Sequence, residues 1–131
     1  MSEIPNVMLG GVFISELFTE YLKLGVETEL FIQYPDGRRE IRRLTPTCST
    51  EVHDVTDPET RKTMRYYNFK CTILDTSPEA YTITAIIVRR SSEPYTHIFT
   101  AFGISIPKPE GATVEFTFTL SVPVPREKVF G

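Results

Sequence analysis

Thr113-Val114-Glu115-Phe116-Thr117-Phe118-Thr119-Leu120-Ser121-Val122 alternates without interruption between polar and apolar side chains. In an extended chain successive side chains leave opposite faces, so Val114, Phe116, Phe118, Leu120 and Val122 share one side. A strand with one buried and one wetted face belongs to a layered antiparallel structure rather than to a parallel sheet covered on both sides. Working back along the chain, Arg65 to Leu74 repeats the pattern with Tyr67, Phe69, Cys71 and Ile73. Tyr81 to Val88 and Tyr95 to Ile106 are apolar on both faces in parts, which predicts central strands. Glu29 to Tyr34 and Arg38 to Leu44 flank Tyr34-Pro35-Asp36-Gly37, a hairpin signal in which proline presets φ and glycine takes the left-handed position. A weaker strand is expected from Thr47 to Val55.

Proline punctuates these segments at Pro35, Pro46, Pro58, Pro78 and Pro94, and again at Pro107 with Pro109 and Pro123 with Pro125. Lacking the N–H that a ladder needs, proline marks turns, edges and strand ends. The pattern predicts a mainly β fold, an antiparallel β-sandwich of about seven strands. One segment departs from it. Ile14, Leu17, Phe18, Tyr21 and Leu22 recur at helical spacing and Gly25 stands where a glycine ends a helix, which predicts a short N-terminal helix over 14–24. Ahead of it, Val7, Met8, Leu9, Val12 and Phe13 surround Gly10 and Gly11, and two readings stay open for this stretch: an extended arm able to pair outside its own domain and build filaments, or a helical segment packed on its own subunit, with which a closed ring or trimer is the natural form. The expected organisation is an apolar arm over 1–13 and a single sandwich domain over 14–131 that includes the helix.

The 131 residues suffice for one domain with a real core. Fourteen Lys and Arg against seventeen Asp and Glu leave a net charge of −3, so no broad positive field is available to hold nucleic acid or an anionic membrane. No apolar run approaches the ~18 residues of a membrane span. The opening Met1-Ser2-Glu3 carries an acid where a secretory signal is basic, and the expectation is synthesis without a cleaved signal peptide.

Chemistry is sparse. His53-Asp54 with Asp57 nearby suggests a base and its orienter, or part of a metal site, but adjacent strand residues point to opposite faces and a solvated turn approach fits better. His97 stands alone in its strand, Ser91-Ser92 lacks a nucleophile elbow, and the seven glycines are too dispersed for a phosphate loop. Arg38-Arg39-Glu40-Ile41-Arg42-Arg43 would divide its guanidinium groups between two faces, with Glu27, Glu29 and Glu40 close enough to compensate, as in a guarded edge strand. The nine Phe and six Tyr fall mostly on the apolar phase of strands and read as core. No catalytic, cofactor-binding or metal-binding residues are assigned, and the expectation is a non-enzyme.

Cys48 and Cys71 have neither C-x-x-C nor zinc-ligand spacing. If a hairpin turns about Asp57-Pro58-Glu59-Thr60, positions summing to 119 face one another, and 48 and 71 are such a pair. Two readings stay open: a cross-strand disulfide, or two buried reduced thiols serving as small apolar residues.

The order of these pieces resembles small phage and viral tail-fibre-type structural proteins. The stretch from Phe99 through Ile104-Ser105-Ile106-Pro107-Lys108-Pro109-Glu110-Gly111 to Val122 is similar to their ending, a strand closing in an aromatic, a turn with Lys and Gly, and a Thr-rich alternating last strand. Tyr67 to Val88 is similar to the strand pair that precedes it, and the helix at 14–24 to their beginning. The resemblance implies a self-assembling subunit of a viral fibre, tail or virion appendage, with itself, other virion proteins or a host surface receptor as partners, and a virion or extracellular location. The alternative from another class is a monomeric carbohydrate- or protein-binding sandwich, recognising its ligand through Ser91 to Tyr95 and Asp54 to Lys62, with a cytoplasmic location as the second possibility.

Asparagine and glutamine number only three, Asn6, Asn68 and Gln33, while prolines number ten. Few heat-labile amides and proline-rich loops are a thermophile tendency. The expected thermal midpoint lies above the ~45–65 °C of mesophile domains; a midpoint within that range by scanning calorimetry removes the thermophile reading.

Overall fold

The computed structural model describes residues 10–126. One helix, α1 (Gly11–Leu24), precedes eight strands: β1 (Val26–Gln33), β2 (Arg39–Leu44), β3 (Thr47–Thr56), β4 (Thr63–Asp75), β5 (Tyr81–Arg90), β6 (His97–Ala101), β7 (Ile106–Lys108) and β8 (Val114–Pro125). They form two antiparallel sheets, the first in the order β2-β1-β5-β6 with β7 also on β5, the second in the order β3-β4-β8. The fold is mainly β with one short helix, as the alternation predicts.

Three expectations need correction. The helix begins at Gly11, three residues early, with Ile14 N donating to the Gly10 carbonyl at 3.1 Å. Val12 and Phe13 are therefore helical and not part of an extended arm; Val7, Met8 and Leu9 lie outside the described residues. Tyr95–Ile106 is not one strand but two, β6 and β7, because Tyr95 at φ 55° and Gly103 at φ 67° turn the chain. Nor is it central. β6 and β7 together flank one side of β5, so their mixed polarity reflects an interrupted edge, where Phe102 is 65% exposed.

β5 is the central strand, and a bulge explains why it is apolar on both faces. Phe31 faces Ala85 but Ile32 faces Ile83, so Thr84 is an extra residue on β5. Its hydroxyl donates to the Phe31 carbonyl at 3.2 Å. The extra residue shifts the alternation by one step, and Tyr81 and Ile83 before it point to the same core as Ile86 and Val88 after it. Leu30 and Ile32 of β1 complete this inner face.

The facing sheet contributes Phe69, Cys71 and Ile73 from β4. Phe69 is a meeting point, its ring centroid 5.5 Å from Phe18 of α1 and 6.4 Å from Phe99 of β6, which in turn stacks on Phe118 of β8 at 5.5 Å. Ile14 and Phe18 are the buried stripe by which α1 closes the core. Gly25 at φ 88° then reverses the chain directly into β1, and a side chain there would also meet Ser91 Oγ.

The β3–β4 hairpin has the register summing to 119 along its whole length, from Thr47 opposite Thr72 to Thr56 opposite Thr63. Cys48 and Cys71 are opposite one another, 4.1 Å apart at Cα, and their sulfurs are bonded. The bond has a particular task, since every other residue of β3 is exposed and burial does little to hold the strand. Closing a separation of 23 residues is worth about 3 kcal/mol by chain-entropy arithmetic. Full reduction is expected to lower the urea-unfolding free energy by about 2–4 kcal/mol and to accelerate amide exchange in β3 before β1 and β5; an unchanged midpoint after verified reduction refutes that role.

Candidate functional site

Three regions compete for a functional reading. The first is the set of open sheet edges. β2 is guarded by Arg39, Glu40, Arg42 and Arg43, and β3 by Glu51, His53 and Asp54. β6 and β7 are short and interrupted. β8 differs: it is twelve residues long, and from Val114 to Val122 it has no proline and one charge, Glu115. Its apolar face alternates as expected but is only partly covered, with Leu120 42% exposed, because β8 lies at the margin of the sandwich rather than over its centre. Pro123 and Pro125 restrict pairing only at its far end.

The second region is the start of α1. Val12 is 74% exposed, Phe13 57% and Leu17 44%, so the helix shows water an apolar side as well as burying Ile14 and Phe18. Gly11 packs directly against Tyr67 of β4, an approach that leaves no room for a Cβ. The exposed side chains are thus held on an anchored element.

The third is a polar cluster at one end of the sandwich, which no local motif announces. Asp75, at the end of β4, is almost completely buried. It accepts hydrogen bonds from the Tyr81 hydroxyl and from Ser77 N–H, the latter at 2.9 Å. Arg42 of β2 reaches Asp75 from the facing sheet, Nε to Oδ2 at 2.8 Å, but off the N–H direction, so the contact is ionic rather than an aligned hydrogen bond. Burial pushes the Asp75 carboxyl up, yet Tyr81, Ser77 N–H and Arg42 together outweigh it and hold the group below the usual carboxylate range. Burial and the bond to Asp75 raise the Tyr81 phenol. Tyr34 donates to Glu40 at 2.5 Å, and that bond, with burial, raises its pKa to about 12. Lys108, 1% exposed, donates to the carbonyls of Ser77 at 2.6 Å and Ala112 at 3.0 Å and lies 4.9 Å above the Tyr81 ring. Above the cluster is a shallow depression of about 660 Å³ bordered by Tyr34, Arg38, Glu40, Arg42 and Glu79. Each buried charge here already has partners, and the cluster fastens the 75–81 loop to the 108–112 turn.

The other candidates are dispersed. His53 and Asp54 point to opposite faces: Asp54 pairs with Arg65 at 2.8 Å and Arg126 at 2.7 Å, while His53 stacks on Tyr66. Asp57 accepts from Glu59 N–H within the turn. His97 is exposed at the start of β6, opposite Arg89. The arginine run divides as its alternation predicts, Arg43 reaching Glu29 at 3.9 Å on one face and Arg42 reaching Asp75 on the other. Glu29 is shared with Arg89, which bonds it at 2.9 Å and Glu27 at 3.2 Å beneath the ring of Tyr95. Among the described residues no three His, Cys, Asp or Glu side chains group as metal ligands, and no helix is long and apolar enough to cross a membrane.

Comparison with protein-family models, curated proteins and solved structures gives no match. The fold and its surfaces therefore speak through this chain's own residues.

Asp75 gives a pH-dependent signature. A carboxyl held below its unfolded value contributes stability above the unfolded pKa and loses it as pH falls through the folded one. Asp75→Asn is expected to cost about 2–3 kcal/mol at pH 7, less than for a fully enclosed ion pair because Arg42 is partly exposed. In urea unfolding the gap to wild type should close only below about pH 4; a gap independent of pH rules out the ionised form as the stabilising species.

Proposed function

We propose that the protein is a non-enzymatic structural subunit that self-assembles, with β8 as the acceptor edge and the residues preceding α1, taken from a neighbouring copy, as the donated strand. The observation that carries this reading is the contrast among the edges: β2 and β3 are charged, β6 and β7 are short, and β8 alone among the described strands offers a long, nearly uncharged edge, free of proline from Val114 to Val122. Such an edge in a lone molecule invites uncontrolled pairing, and occupation by a partner strand removes that liability. Val7, Met8 and Leu9 supply the apolar character an added strand needs, and exposed Val12 and Phe13 supply a surface the same neighbour would cover. Donation from one copy to the next is head-to-tail and builds open filaments. The resemblance to tail-fibre-type proteins motivates the finer reading, a component of a viral fibre, tail or virion appendage located on the virion or an extracellular appendage, with other virion proteins or a host surface receptor as further partners.

The second reading, a monomeric carbohydrate- or protein-binding module, draws support from Tyr95, which the Ser91–Tyr95 turn holds 47% exposed at φ 55°. An aromatic fixed on a turn is a typical recognition element.

Sedimentation velocity distinguishes the two. Wild type should run as oligomers growing with concentration. Deletion of residues 1–10 should reduce it to monomer, and the exposed double substitution Val12→Ser with Phe13→Ser should weaken association while leaving the far-UV CD spectrum intact. A wild-type protein that stays monomeric at high concentration, or a deletion variant that assembles unchanged, refutes strand donation.

A further inference from the structure

The outer face of the first sheet is charged along most of its rows, but one row is apolar. Phe31 of β1 stands between Ile41 of β2 and Ala85 of β5. Ala101 of β6 pairs with Ile86, so Phe102, the next residue, extends the row past Ala85 and the row crosses four strands. Ile41 is 44% exposed and Phe102 65%. A shallow depression of about 440 Å³ opens beside Phe31 and Ile41. Among the described residues nothing covers this face, because α1 buries Ile14 and Phe18 in the core on the other side of the sheet. An apolar row left open across a sheet marks an interaction surface.

A second open apolar strip runs along α1. Phe13, Leu17 and Leu24 recur at i, i+4 and i+11, so they share a side of the helix next to the buried Ile14 and Phe18. Phe13 and Leu17 are both exposed. Charge matches this strip to the row on the sheet. Leu17 is flanked on the helix by Glu16 and Glu20, and Ile41 is flanked on β2 by Arg39 and Arg43, which alternation puts on the same face as Ile41. Among the described residues Glu16, Glu20 and Arg39 make no ion pair, and Arg43 reaches Glu29 only at 3.9 Å. Helix against helix would set acid on acid, and sheet face against sheet face arginine on arginine; only helix on sheet joins opposite charges around an apolar centre. The helix cannot reach the outer face of its own sheet while it closes its own core, so the two surfaces meet between copies.

We propose that the outer face of the β2-β1-β5-β6 sheet is a docking surface for α1 of a second copy of this chain, with Phe13 and Leu17 seated on Ile41 and Phe31 and with Glu16 and Glu20 facing Arg39 and Arg43. A helix laid on an open sheet face is a standard way for two such elements to bury their apolar sides. The contact joins different surfaces of the two copies, so it is head-to-tail and repeats from one copy to the next. It rests on the self-assembly reading but not on strand donation, because both surfaces are folded before they meet.

Sedimentation velocity and photo-crosslinking of the full-length protein test this contact. Ile41→Glu, and separately the pair Glu16→Arg with Glu20→Arg, should weaken self-association at least about tenfold while the far-UV CD spectrum stays unchanged. Val55→Glu, at a similarly exposed apolar position on β3, should leave association as it is. Adding Arg39→Glu and Arg43→Glu to the reversed helix should restore association to within about threefold of wild type. A photoreactive phenylalanine analogue at position 17 should capture the peptide that contains Ile41 from a second copy. Capture of a segment outside the first sheet overturns the docking surface, and so does association insensitive to Ile41→Glu. The two contacts separate cleanly: assembly lost on deletion of residues 1–10 but untouched by Ile41→Glu leaves strand donation and removes this surface, whereas a deletion variant that still assembles and is dispersed by Ile41→Glu supports this surface alone. A wild-type protein that stays monomeric at high concentration overturns both.

Discussion

The bulge at Thr84 is the constraint on which the sandwich depends. β5 pairs with three other strands and contributes four core residues, and a regular strand of the same sequence could not bury both Tyr81 with Ile83 and Ile86 with Val88. One unpaired residue, secured by a hydroxyl bond to the neighbouring carbonyl, puts all four on one side. It also leaves Ile87 and Arg89 on the outer face. There Arg89 is covered by Glu27, Glu29 and Tyr95, a small ionic layer that lets a nearly buried guanidinium remain paired.

The two ends of the second sheet are held by different means. β8 is held by a ladder along almost all of β4 and by Phe118 stacked on Phe99, so it is well anchored while its outer backbone groups remain open. β3 has the same ladder but almost no buried side chains, and a covalent bond at Cys48 substitutes for the missing core. Rigidity without coverage at β8 is what the proposed assembly would require of an acceptor edge, because an ordered strand has little conformational entropy left to lose on pairing. The charges on β2 and β3 make those edges poor substitutes.

The cluster around Asp75 shows what remained hidden in the linear order of residues. Asp75, Tyr81, Arg42 and Lys108 lie on four different strands from both sheets, and nothing in their spacing connects them. The cysteine pair was the favourable case. A single arithmetic relation about one turn placed the two residues opposite each other, although it could not distinguish a bond from two neighbouring thiols.

Alternation and punctuation by themselves determined the class of the fold, the hairpins at Pro35 and Pro58, the phase of β4 and β8, and the existence of a helix before the strands, because these follow from a period of two or of 3.6 and from local turn chemistry. The tertiary structure alone decided that α1 begins at Gly11 and takes Val12 and Phe13 with it, that 95–106 splits into two edge pieces, and which strand stands at the centre. Strand order is set by long-range pairing and by the sum of many weak contacts, and a strand in the middle can carry the same local pattern as one at the margin.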